Sequence, residues 1–146
     1  LVIDDMNKKK ILMLYQSAVA NKQQGHDDIA RDLFKKVLSK QPSFWEAWFE
    51  MGGLSLRQEL YGDAEECFLK VVKMNPGFAM GYAYLGLSYF HMGFLEKAIK
   101  SYKKVLDIQP DNLSAICNIG LSLLNMGYRD EAVSYCQKAI AIDKGF

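Results

Sequence analysis

A chain of 146 residues is long enough for one domain with a packed core, and its 50% hydrophobic and 24% charged composition is that of a folded globular protein. A net charge of +1 supplies no field to steer the chain onto nucleic acid or an anionic membrane surface. No apolar run approaches the roughly 20 residues that span a bilayer, and Leu1-Val2-Ile3-Asp4-Asp5 has neither the basic region nor the long apolar core of a signal peptide.

The start also lacks an initiator Met, which reads as a fragment cut from a longer chain. Residues 1–10 read as an N-terminal extension. Leu1-Val2-Ile3 and Met6 fit either an extension of the first helix or a remnant of a preceding element. The run Lys8-Lys9-Lys10 reads as a solvated face, with a weak anionic-partner contact as the alternative.

From Ile11 onward the chain repeats. The first copy carries Leu14, Ala18, Ala30-x-x-x-Phe34 and Pro42. The second carries Trp48-x-x-Met51-Gly52, Ala64-x-x-x-Phe68 and Pro76. The third is the fullest, with Tyr82-x-x-Leu85-Gly86-x-x-Tyr89, Ala98-x-x-x-Tyr102 and Pro110. The fourth carries Ile116-x-x-Ile119-Gly120 and Ala132-x-x-x-Cys136. The three prolines lie 34 residues apart and punctuate the chain, because proline ends helices.

The units are Ile11–Phe44, Trp45–Phe78, Ala79–Asn112 and Leu113–Phe146. Apolar spacing within each is helical, with no sustained two-residue alternation. Each unit therefore holds two helices of about 13 to 15 residues. Turns fall near Gln24-Gly25-His26, residues 58–61, Met92-Gly93-Phe94 and Met126-Gly127-Tyr128. Glycine inside a helix costs about 1 kcal/mol against alanine, so Gly52, Gly86 and Gly120 need a reason. The reason inferred is close backbone approach between small residues on both helices, with aromatic rings filling the space around them.

This combination of period, small residues, aromatics and proline resembles the tetratricopeptide repeat (TPR) family. The resemblance implies an all-α fold, a right-handed superhelical solenoid of antiparallel helix pairs in about four units. It implies first helices lining a concave groove and second helices forming the convex back. It also implies a non-enzymatic scaffold or adaptor that binds a peptide or helix of another protein.

Four features depart from the pattern. The first unit has Leu14 and Ala18 where an aromatic and a glycine are expected, and reads as a divergent repeat capping the stack. The second has Glu59 where the others have Gly25, Gly93 and Gly127, so its turn is expected to be different or shifted. The fourth has Cys136 for the aromatic and Lys144 for the proline. No polar capping helix follows it, so its last helix is expected to leave Val133, Ile140 and Ile142 uncovered. Further chain, another copy or a partner would cover them.

Function in such a stack lies on first-helix residues that do not pack on the second helix. Steps of three and four keep one face, which points to positions 2, 5, 9, 12 and 13 of each unit. The candidate groove residues are Tyr15, Glu46, Phe49, Arg57, Met80, Leu87, Phe90, His91 and Asn125, with Tyr84 and Asn118 from sixth positions. The set is apolar along its middle and polar along one margin. It suits an apolar or amphipathic protein segment, with Arg57, His91 and Asn125 bonding at the rim. Fifth and ninth positions also pack on the next repeat, so Phe49, Leu87 and Leu121 are shared with the core. One TPR subfamily clamps a carboxylate with cations at fifth and ninth positions. Here these are Tyr15, Val19, Phe49, Gly53, Ala83 and Leu87, which excludes that clamp.

No catalytic, cofactor or metal site is expected. His26 and His91 have no cysteine or carboxylate at ligand spacing. The glycines serve packing and turns, and do not form a phosphate loop. Cys67, Cys117 and Cys136 read as reduced thiols, consistent with a cytoplasmic setting. Lys36, Lys70, Lys104 and Lys138 form a solubilising stripe, and nearby Glu65, Glu66 and Asp107 argue against nucleic acid. The alternative function is structural, with self-association through the C-terminal helix.

Overall fold

The computed structural model describes residues 2–145. Among them it has eight helices and no strands: α1 (Val2–Gln23), α2 (Asp27–Lys40), α3 (Trp45–Arg57), α4 (Tyr61–Met74), α5 (Ala79–His91), α6 (Leu95–Ile108), α7 (Leu113–Asn125) and α8 (Arg129–Asp143). Each 34-residue unit is one helix pair, with α1 packed on α2, α3 on α4, α5 on α6 and α7 on α8. Residues 2–10 are continuous with the rest of α1 in one helix. The helices fall into two compact units, α1–α4 up to Asn75 and α5–α8 from Pro76.

The period is enforced at three places. The aromatic of each second helix is one. Phe34, Phe68 and Tyr102 are almost wholly buried, each against its own first helix. A Cβ built on Gly52 would lie 2.6 Å from the Phe68 ring, and one on Gly86 would lie 2.8 Å from Tyr102. The glycines therefore make room for a ring, which corrects the expectation that they meet a small residue of the facing helix. Gly120 differs: a Cβ there would meet the Ala132 carbonyl oxygen, the Cys136 Sγ and the Tyr135 Cβ, each at 3.6 Å, so here the facing small residue is the expected alanine, at ordinary contact distance.

The turn within each pair is the second. The N–H of Gly25 bonds the Lys22 carbonyl and that of His26 reaches back to Asn21. The same double bond recurs from Glu59 and Leu60 to Leu56 and Ser55, and from Gly93 and Phe94 to Phe90 and Tyr89. Gly127 and Tyr128 repeat it to Leu124 and Leu123. This closure needs a left-handed residue, supplied by Gly25, Gly93 and Gly127 at φ 81°, 81° and 88°. Glu59 holds the same region at φ 60°. The second turn is thus neither different nor shifted. It keeps the geometry and bears the strain of a side chain there, on the order of 1 kcal/mol.

The third place is the end of α2, α4 and α6. The N–H groups of Gln41, Asn75 and Gln109 close on Val37, Val71 and Val105, and a proline follows each. The chain then turns into the next first helix. Asn112 caps α7 by accepting a 2.9 Å bond from the Ala115 N–H. Where α8 lacks a proline, Gly145 at φ 76° follows its cap.

Candidate docking faces

Each first helix buries one side on its own second helix and turns another side away. Side chains four, seven and eleven residues apart share a face, so positions 2, 6, 9 and 13 form one stripe. On α3 the stripe is Glu46, Glu50, Gly53 and Arg57. On α5 it is Met80, Tyr84, Leu87 and His91, and on α7 it is Ser114, Asn118, Leu121 and Asn125. Eight of the sequence candidates fall at these positions: Glu46 and Arg57 on α3, Met80, Tyr84, Leu87 and His91 on α5, and Asn118 and Asn125 on α7.

The fifth- and twelfth-position candidates behave differently. Tyr15 is half-buried, with its ring 4.9 Å from that of Phe44 and 6.0 Å from that of Phe34. Phe49 meets Phe68 edge to face at 5.9 Å. Phe90 is half-buried, its ring 5.8 Å from that of His91. These residues lean on neighbouring rings.

In the first unit the turned-away side is charged and tied together. Lys22 pairs with Glu50 across α1 and α3, and Arg57 pairs with Asp27 and donates to the Lys22 carbonyl. Arg31 of α2 bonds Gln58 at 2.9 Å and reaches the buried Ser55 hydroxyl at 3.4 Å. Burial raises the Tyr15 hydroxyl pKa, and the carboxylates of Glu50 and then Glu46 push it further. Sequence reasoning missed Glu50 and its pairing with Lys22. The signal was present in the four-residue step from Glu46 to Glu50 and the seven-residue step on to Arg57.

In the second unit the α5 stripe is apolar up to His91, and α7 adds Leu121 among the polar Ser114, Asn118 and Asn125. Met80 is 47% exposed and Leu121 46%. Tyr84 and Leu87 are half-buried between them in sequence, and His91 and Asn125 are exposed at the far end of the stripe. Two serines beside the stripe turn inward. Ser88 and Ser122 donate to the Tyr84 and Asn118 carbonyls at 2.9 and 2.8 Å, which satisfies them without a partner molecule.

A second surface lies at the α7–α8 edge. Cys117, Leu121, Leu124, Ala132, Val133 and Cys136 line a hollow of about 370 Å³ with Arg129 and Gly120 at its margin. Val133 and Ile140 are exposed as expected, whereas Ile142 is half-buried.

No group of three His, Cys, Asp or Glu side chains among the described residues could hold a metal ion. No helix among them is long and apolar enough to cross a membrane. Cys67, Cys117 and Cys136 are free thiols, and burial pushes that of Cys67 up to about 11.

Four helix pairs, two of them with a ring seated over a glycine, and first helices that turn one side away from their second helix define a helix-pair repeat protein. Family models agree. Models described as tetratricopeptide repeat match residues 13–43, 46–78 and 113–146, and one described as TPR repeat matches 86–127. The chain belongs to the tetratricopeptide repeat family.

Among solved structures, "Crystal structure of MamA" is 28% identical with a TM-score of 0.89, covering 92% of this chain and 79% of that one. "Crystal structure of MamA protein" is also 28% identical, with a TM-score of 0.88 over 98% of this chain and 77% of that one. "MamA 41-end from Desulfovibrio magneticus RS-1" is 26% identical, with a TM-score of 0.85 over 90% of this chain and 75% of that one. No curated protein matches the chain. The family and these neighbours support a protein-interaction scaffold.

Proposed function

We propose that this chain is a non-enzymatic adaptor that docks an apolar or amphipathic segment of a partner protein on its first-helix stripes. The apolar side of that segment lies on α5 and α7, against Met80, Tyr84, Leu87 and Leu121. His91, Asn118 and Asn125 bond its polar margin. The observation that carries this reading is the row of apolar side chains Met80, Tyr84 and Leu87 along α5, with Met80 nearly half exposed, and the exposed Leu121 on α7. Ser88 and Ser122 beside that row turn their hydroxyls to the backbone. The three free thiols fit a reducing compartment such as the cytoplasm.

The test is recovery of cross-linked partners from native extract, followed by titration of the partner with variants. Met80→Glu and Tyr84→Ala each weaken binding about tenfold or more, the equivalent of about 1.4 kcal/mol, with helix content unchanged. Unchanged affinity in both variants rejects the α5–α7 assignment.

A further inference from the structure

In three of the four pairs a ring occupies the twenty-fourth position of the unit: Phe34, Phe68 and Tyr102, all almost wholly buried. In the first two pairs that ring meets the ring at the fifth position, on the first helix. Tyr15 lies 6.0 Å from Phe34, and Phe49 lies 5.9 Å from Phe68. The fifth and twenty-fourth side chains of a pair therefore face each other. In the fourth pair both positions are cysteine, Cys117 on α7 and Cys136 on α8. Neither position carries a ring to fill the space between the helices.

Two further observations bring the thiols together. Cys117 and Cys136 line the same hollow, with Gly120 and Ala132 also in its wall. A Cβ built on Gly120, one turn along α7 from Cys117, would lie 3.6 Å from the Cys136 Sγ. Gly120 has no side chain, so α7 presents no wedge to α8 at that level. This facing is set within the α7–α8 pair and needs no second molecule. Both thiols are free and exposed, whereas Cys67 is buried.

We propose that Cys117 and Cys136 are a redox pair that closes to an intramolecular disulfide and staples α7 to α8 at the site where the other pairs are held by a ring. The oxidant is a small-molecule disulfide. One cysteine thiolate attacks its S–S bond, forms a mixed disulfide and releases one thiol. The second thiolate attacks the protein sulfur of that mixed disulfide and releases the second thiol. The two cysteine protons end on the two released thiols, and the two electrons reduce the oxidant. In a reducing compartment such a bond is transient and follows the redox state. The pair acts apart from partner docking, which uses the apolar row of α5.

The test is incubation of the full chain with glutathione disulfide, followed by alkylation, intact mass and peptide mapping. The folded chain should lose the mass of two hydrogens and yield a Cys117–Cys136 cross-linked peptide. It should do so about tenfold or more faster than the chain unfolded in urea, because the fold raises the effective concentration of one thiol at the other. Cys117→Ser and Cys136→Ser should each stop at a mixed disulfide with glutathione, and Cys67→Ser should cross-link as the wild type does. The oxidised wild type should melt at a higher temperature than the reduced one, a rise absent from the Cys117→Ser and Cys136→Ser variants. A folded chain that takes up only mixed disulfides, or cross-links no faster than the unfolded chain, overturns the proposal. A cross-link that leaves the melting temperature unchanged overturns the stapling role.

Discussion

On α3 the stripe that turns away from its partner helix reads Glu46, Glu50, Gly53 and Arg57. On α5 the same register reads Met80, Tyr84, Leu87 and His91. The first unit answers its charges internally, with Lys22 on Glu50 and Arg57 on Asp27. The second unit leaves apolar side chains at the surface and returns its serine hydroxyls to the backbone. The packing that makes a repeat is the same in both, and it constrains other positions. The face turned away from that packing is therefore free to differ between units, and in this chain it changes from charged on α3 to apolar on α5.

The largest expected effect separates the cores of the two units. Phe68→Ala empties a fully buried ring site in the first unit and should cost about 3 to 5 kcal/mol in urea unfolding. Cys136→Ala, at the equivalent place in the second unit, removes an exposed thiol and should cost under about 0.5 kcal/mol. Comparable losses would show that the fourth pair depends on Cys136 as the second depends on Phe68.

The glycines sharpen the same point. Gly52→Ala drives a Cβ into the Phe68 ring and should destabilise by about 1 to 3 kcal/mol. Gly120→Ala meets only ordinary contacts and should stabilise by up to about 1 kcal/mol through helix propensity. A loss at Gly120 would mean that something besides the ring demands glycine there.

Turn chemistry gives a smaller effect. Glu59→Gly relieves a left-handed side chain and should raise stability by about 0.5 to 1 kcal/mol in thermal or urea unfolding. Alkaline pH gives an effect of the opposite sign. Burial raises the Cys67 thiol to about 11 and the Tyr102 hydroxyl to about 12, both above their ordinary values of 9.0 and 10.0. The unfolded chain loses these protons first, so stability is full below pH 9 and falls as pH rises through 9 to 12. A urea midpoint that stayed flat over that window would contradict the buried states of both groups. The smallest effect is Arg57→Ala, which breaks a partly exposed ion pair and should cost under about 1 kcal/mol, less at high salt.

Much of this was legible in the sequence, because repeat packing fixes residue identity at a few spaced positions. Ala98, Tyr102 and Pro110 announce a buried helix contact, a ring site and a helix end, and each is found there. The reason for Gly86 was not legible, since a ring and a backbone both exclude a Cβ and only coordinates distinguish them. The turn at Glu59 was misread because glycine usually marks a left-handed residue, yet the flanking bonds from Glu59 and Leu60 hold it without one. On the candidate faces, helical spacing placed Met80 and His91 on one stripe. It did not reveal that Tyr15 and Phe49 lean on rings, because that depends on side-chain directions across helices. Nor did it foresee Lys22 reaching Glu50, a pairing between units of sequence 28 residues apart.

The central claim is that the apolar stripe of α5, and not the self-paired stripe of α3, makes the main partner contact. Photo-cross-linking in native extract tests it most directly, with one benzophenone side chain placed at position 80 or at position 46. The account predicts strong, saturable protein adducts from position 80, competed away by excess unlabelled wild-type chain, and weaker adducts from position 46. Equal yields at both positions, or specific adducts from position 46 alone, would contradict it.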